Sequence, residues 1–375
     1  MRRIRNGFII IINFCILFLI IDYCFGKSFL GESYYQKSLG NLGNLVQLAG
    51  TPHDIYHHDL KKNLSQAQYW GDLTHKLCTN SFGFKSSCDN IINKKDFDIV
   101  FIGDSMSEGV GFDYEDTFVG LFADSYPELR VANMGVASYS PAIYRSKIQY
   151  YLETEEMKFN HVFVFIDISD IQDEAFAYER LIDNRVVAQA QAQPKGPGQR
   201  SPTPEDSVTL RIKEYLYDKT PVFHLLLKSL YQLNDKNTGG LENGLSMAGE
   251  WTHNPQSKGF GNKGIQFGID NAIHHMEELY KLLQERNIKL SIGIYPWPNQ
   301  LKYDVVNNKQ AKIWRDFCKG KCSYFINTMP AFFKYLQSNG EVKTYQDLYF
   351  YGDVHFNKNG NRVVFEEIEK NFLKK

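Results

Sequence analysis

The stretch Asp98-Ile99-Val100-Phe101-Ile102-Gly103-Asp104-Ser105 decides the reading of this chain. Its apolar run does not alternate and is too short for a helix, which is the pattern of a strand buried on both faces of a parallel sheet. It stops at Gly103 and leaves an acid and a hydroxyl where the strand gives way to a loop. Four similar runs follow downstream: Leu129–Gly135, His161–Asp167, Lys289–Tyr295 and Cys322–Asn327. Helical patterns separate them. Ser140 before Pro141 reads as an N-cap and first-turn proline opening an amphipathic stretch to about Met157. Ile265, Ile269, Ile273, Met276, Tyr280 and Leu283 recur at helical spacing within 264–286, and 307–318 and 358–373 read as two further helices. Strand and helix in alternation predict an α/β domain with a mostly parallel sheet.

Composition narrows the function classes. The 375 residues exceed any disulfide-stapled miniature, and 43% hydrophobic with 23% charged residues is ordinary globular usage. Lys and Arg number 42 against 43 Asp and Glu, so there is no basic surplus for a phosphate backbone, and nucleic-acid binding is not expected.

One segment departs from the globular pattern. Arg2, Arg3 and Arg5 precede an apolar run from Phe8 to Ile21, the order of an export signal. That run makes about 21 Å of helix, and extension to Phe25 makes about 27 Å, just enough to span a thinned bilayer. Residues 1–26 are therefore expected to be a signal anchor or a signal peptide, with an uncleaved membrane helix preferred and the rest of the chain exported, periplasmic or otherwise extracytoplasmic. Beyond Cys15 and Cys24 in this segment, Cys78, Cys88, Cys318 and Cys322 allow three pairings. Local closure, Cys78 with Cys88 and Cys318 with Cys322, is the simplest in an oxidising compartment. A zinc site is the weaker reading, since the spacings lack neighbouring histidines.

Residues 27–95 are polar and aromatic without long periodicity, and are expected to begin as a stalk and then pack on a main domain at 96–375. That domain is interrupted at about 180–262. A low-complexity loop from Gln189 to Arg200 leads into a helical-looking stretch over 205–233, and 234–262 hold six glycines. The interruption is expected to be a lid or surface elaboration.

Open α/β sheets place their sites beyond the carboxyl ends of the strands. Here those ends carry Ser105, Asn133-Met134-Gly135 and Asp167-Ile168-Ser169-Asp170, while Asp353-Val354-His355 lies directly before the last helix. A serine hydroxyl attacks an ester only when an imidazole takes its proton, and the imidazole needs an acceptor behind it. Ser105, His355 and Asp353 have those chemistries, and the backbone N–H groups of Ser105 and Gly135 are candidate oxyanion donors. Asp170, Asp173 and Glu174 read as an acidic helix start more than as a metal set. Tyr295 and Trp297 follow a strand on the same edge and are a candidate substrate wall.

These blocks resemble the SGNH (GDSL-type) hydrolases, a family of esterases, lipases, deacetylases and O-acyltransferases. Gly103-Asp104-Ser105 matches the first block and Gly135 the second. Asp167-Ile168-Ser169-Asp170 stands where the family has Gly-x-Asn-Asp. Asp353-Val354-His355 is one residue tighter than the family's Asp-x-x-His, with Gly352 at the expected acid position. The Gly-x-Ser-x-Gly elbow of α/β-hydrolases is absent, Ser107 occupying its last glycine. The resemblance implies a three-layer α/β/α fold with a five-stranded sheet. It also implies Ser105, His355 and Asp353 as catalytic residues, with Asp104, Gly135, Ser169 and Asp170 around the oxyanion and binding site, and neither metal nor cofactor. The expected substrate is an O-acylated carbohydrate or other ester, with hydrolysis or O-acetyl transfer on a cell-envelope glycan foremost. A catalytically weak glycan-binding protein and a lipase or thioesterase are the alternatives.

Overall fold

A computed structural model describes residues 2–30, 49–70, 73–89, 91–189, 219–234 and 240–373. The low-complexity loop beyond Gln189, most of the helical-looking stretch before Pro221, and residues 31–48 of the segment expected to begin as a stalk lie outside the described residues, while residues 27–30 continue the N-terminal helix.

The main domain is built on five strands: β5 (Asp96–Gly103), β6 (Val131–Asn133), β7 (Lys158–Ile166), β10 (Lys289–Ile294) and β11 (Phe325–Asn327). They lie in the order β11-β10-β7-β5-β6, and every pairing is parallel. The centre of the sheet is what the apolar runs dictate. Val100, Phe101, Ile102, Phe163, Val164, Phe165 and Ile292 have no measurable exposure. Phe101 stacks on Phe163 at 5.1 Å between ring centroids. Helices Phe118–Ser125, Pro141–Glu153, Gly264–Gln284 and Lys309–Cys318 lie on the crossovers, and Lys358–Phe372 follows the last strand. The α/β/α layering thus follows from strands with two apolar faces, each of which must be covered.

The segment before β5 holds two antiparallel hairpins: β1 (Gly50–His53) with β2 (His57–Leu60), and β3 (Ser65–Trp70) with β4 (Leu73–Cys78). A buried ion pair fastens the first to the sheet layer. Lys147 donates to Asp59 Oδ1 at 2.8 Å, to Tyr139 Oη at 3.0 Å and to Met134 O at 3.2 Å. Both disulfides close locally, Cys78–Cys88 and Cys318–Cys322, while Cys15 and Cys24 are free.

The N-terminal helix forms over Arg2–Leu30. The expected membrane span does not follow from it: among the described residues no helix is long and apolar enough to cross a membrane. Asp22, the acid that closes the apolar run, is buried. Its carboxylate accepts the N–H groups of Val222 at 3.0 Å and Phe223 at 2.8 Å, satisfying orphan donors at the start of helix Pro221–Asn234.

The insertion has some regular structure of its own. A short hairpin pairs β8 (Tyr178–Arg180) with β9 (Val186–Ala188), and single 3-10 turns form at Leu241–Gly244 and Met247–Gly249. Trp251 anchors it by donating its indole N–H to Ile168 O at 2.8 Å.

Candidate active site

At the carboxyl end of β5 the chain turns at once into helix Ser105–Glu108, capped by Asp104, whose Oδ1 accepts the Met106 N–H at 3.1 Å. The cap leaves Ser105 as the first helical residue, where its own N–H has no helical acceptor. His355 arrives from the other end of the chain, two residues before the N-cap Asn357 of the last helix. Its Nε2 lies 2.8 Å from Ser105 Oγ and its Nδ1 lies 2.6 Å from Asp353 Oδ1. With the proton on Nδ1 facing the carboxylate, Nε2 is left as an acceptor for the serine hydroxyl. The tighter Asp353-Val354-His355 spacing works because the backbone N–H of His355 also donates to Asp353 Oδ1, at 3.2 Å, so both groups grip one oxygen.

The electrostatics suit proton transfer. Burial opposes the anion of Asp353, but the His355 charge and the hydrogen bonds from His355 and Trp70 outweigh it and hold the carboxyl down at about 2. Burial opposes the imidazolium of His355, and Asp353 outweighs that in turn, helped by Asp167 and Glu108, so the pKa stands above its ordinary value. Ser105 keeps 8% of its surface exposed.

Other expected site residues are placed differently. Gly135 N–H donates to Asn133 Oδ1 at 3.0 Å, so it is already engaged and not directed at an oxyanion. What position 135 requires is the absence of a side chain: a Cβ there would come within 2.7 Å of the Glu108 nitrogen and of Ser107 Cβ. Ser169 spends its hydroxyl on Asp167 Oδ1 at 2.7 Å, so it does not take up the role of the missing asparagine. Tyr295 and Trp297 are buried and form no substrate wall, because their polar tips find carboxylates inside. Trp297 Nε1 donates to Asp167 Oδ2 at 2.9 Å and Tyr295 Oη to Asp104 Oδ1 at 3.4 Å. The N–H of Ser105 remains as a candidate donor beside the serine hydroxyl.

Beneath Ser105 lies a group of acids that sequence reading had spread over separate loops. Asp104, Asp167 and Asp170 each bring one carboxylate oxygen within 4.8 Å of the others, and all three are buried. This is the one convergence among the described residues with the ligand chemistry of a hard cation. Protein donors serve part of it: Met106, Ser169, Trp297 and Tyr144, the last donating to Asp170 Oδ2 at 2.9 Å, while the buried Asp170 Oδ1 has no hydrogen-bond partner among the described residues. Burial, then mutual repulsion, pushes Asp104 and Asp170 well above the ordinary carboxylate range. Three such groups cannot all be ionised together.

Two contacts had no sequence signal. Trp70, at the end of β3, donates its indole N–H to Asp353 Oδ2 at 2.8 Å and sets its ring edge-on to His355, 4.9 Å between centroids. The insertion also abuts the loop that carries Asp353 and His355, for a Cβ on Gly244 would meet Asp353 O at 2.8 Å.

No family model matches the chain, and no curated protein matches it. Among solved structures it is similar to a member of the lipolytic protein G-D-S-L family from Veillonella parvula DSM 2008, with 12% identity, 74% of this chain and 99% of that chain covered, and a TM-score of 0.41. It is also similar to a catalytic mutant of Axe2, an acetylxylan esterase from Geobacillus stearothermophilus, with 13% identity, 74% and 95% covered, and a TM-score of 0.40. A third is the psychrotrophic esterase EstA from Pseudoalteromonas sp., with 13% identity, 75% and 98% covered, and a TM-score of 0.36.

Proposed function

We propose that this chain is an exported serine esterase working through an acyl-enzyme, with an O-acetyl ester on a cell-envelope glycan as substrate. One observation carries the reading: a serine oxygen, both nitrogens of an imidazole and a carboxylate oxygen are joined by consecutive hydrogen bonds of 2.8 Å and 2.6 Å. In this reading Ser105 Oγ attacks the ester carbonyl while His355 Nε2 takes its proton. Asp353 balances the imidazolium so formed. The N–H of Ser105 faces the developing oxyanion, a contact typically worth about 3 kcal/mol. As the acyl C–O bond breaks, His355 gives the proton to the departing sugar oxygen, which leaves as a hydroxyl, and water or a second hydroxyl, activated by the same nitrogen, clears the acyl group. Water gives hydrolysis; a sugar hydroxyl gives transfer.

A small acyl group suits the surroundings better than a fatty chain. Ser105 is nearly enclosed, and its neighbours Asp104, His355, Asp353 and Trp70 all present polar atoms. The two disulfides support an oxidising compartment outside the cytoplasm, with the N-terminal helix serving export. The test compares wild type with Ser105→Ala on p-nitrophenyl acetate. The expected loss in kcat is on the order of a thousandfold or more. Equal rates at background refute the esterase and leave the glycan-binding alternative.

A further inference from the structure

The acid of a serine–imidazole–carboxylate relay has two oxygens, and only one can face the imidazole. In this chain Oδ1 of Asp353 takes both His355 donors, the backbone N–H and the ring. Among the described residues Oδ2 takes one donor, the indole of Trp70, which lies 283 residues away in sequence. Trp70 belongs neither to the sheet nor to the loops at its edge. It ends β3, in the hairpin before the main domain, where it pairs with Leu73 of β4.

That hairpin is held firmly against the site. Cys78, at the far end of β4, is tied to Cys88. Lys76 N–H donates to Asp113 Oδ1 at 2.5 Å. The buried Lys85 ammonium donates to Gly109 O and Phe112 O, each at 2.7 Å, on the loop that follows helix Ser105–Glu108. Gly111 on that loop, at φ +86°, clears the space for the tryptophan: a Cβ there would stand 3.2 Å from Trp70 Cβ and 3.0 Å from the Phe350 ring. An indole on a braced strand, with two side-chain torsions, is a rigid donor.

We propose that Trp70 is a positioning residue for the reaction, its N–H holding the plane of the Asp353 carboxylate so that Oδ1 stays directed at His355. The residues before β5 are then part of the catalytic apparatus and not an accessory packed on it. This inference rests on the esterase reading for its consequence in turnover, but its geometry can be tested without turnover.

Removing the indole donor concentrates the Asp353 charge on the oxygen facing the ring, which binds the imidazolium more tightly. The other charged groups acting on His355 are Asp167 and Glu108. The experiment places 3-benzothienylalanine at position 70 by amber suppression, keeping the bicycle and deleting the N–H, with Trp70→Phe as a second variant. The His355 ring is titrated by NMR in isotope-labelled protein, its signal assigned by loss in His355→Gln. The expected result is a His355 pKa higher by a few tenths of a unit, with kcat on p-nitrophenyl acetate down roughly tenfold and KM little changed. A His355 titration identical to wild type in both folded variants overturns the proposal, whatever happens to melting temperature. The Ser105→Ala comparison is separate: it can fail while the titration shifts, so the two readings fall independently.

Discussion

Replacing Asp353 by asparagine removes one charge at constant side-chain shape, and the structure sets the size of the effect. The His355 nitrogen and the carboxylate oxygen are 2.6 Å apart. Charge centres about 4 Å apart attract by about 4 kcal/mol at an effective dielectric near 20. At about 1.4 kcal/mol per decade, that is a loss in kcat/KM on the order of a thousandfold. Orientation of the amide refines the figure. Two His355 donors point at Oδ1 and one Trp70 donor at Oδ2, so the amide oxygen faces His355 and the NH2 group opposes the indole. The imidazole therefore keeps its tautomer, and the loss is chiefly electrostatic, with the Trp70 hydrogen bond lost beside it. Because Asp353 is what lifts the His355 pKa against burial, its removal lowers that pKa, and the acid limb of kcat/KM moves to lower pH. The assay is p-nitrophenyl acetate hydrolysis by both proteins across the pH range in which they stay folded. A loss smaller than about tenfold, or an acid limb that stays put or moves up, refutes the reasoning.

Three further outcomes are expected. Asp59→Asn strands the Lys147 ammonium, whose side chain has no exposure, and should cost about 3–5 kcal/mol in urea unfolding. Adding Lys147→Met should restore part of that, and a single-variant cost under about 1 kcal/mol contradicts the account. Burial lowers Lys85 from 10.5 to about 8, so across that window the unfolded chain binds more protons and the folded state gains stability as pH rises. Relative to Lys85→Met, the wild-type unfolding free energy should climb between those two values, and a constant difference contradicts it. Gly135→Ala places a methyl 2.7 Å from the backbone nitrogen of Glu108, which cannot yield cheaply. It should lower kcat/KM roughly a hundredfold and melt earlier in a thermal scan, and wild-type values for both contradict it.

The legible parts of this chain are those whose signal is local. β5, β7 and β10 are read directly because a parallel strand covered on both faces must be apolar throughout, and Val100, Val164 and Ile292 are indeed enclosed. Ser105 and His355 were readable as loop residues at one sheet edge, and the structure has them 2.8 Å apart. What sequence could not show is which donor each polar group had already engaged. Gly135 N–H goes to Asn133 two residues back, and Ser169 to Asp167, both short Asx-type contacts that compete for the groups an oxyanion would use. Trp297 and Tyr295 looked like a wall because aromatic residues at a strand end are ambiguous until the acids beneath them are known. The acids themselves come from two loops, after β5 and after β7, and only the sheet brings them within reach of one another. Trp70 lies in Ser65–Trp70, a strand with no apolar periodicity, so nothing in its neighbourhood points 283 residues ahead.

The central claim is that Ser105 is an activated nucleophile, and a fluorophosphonate reads that chemistry directly. Folded protein treated with the reagent and mapped by mass spectrometry should carry one adduct, on Ser105, and His355→Ala should label far more slowly. An unmodified Ser105 in protein that remains folded, or an adduct confined to another residue, would contradict it.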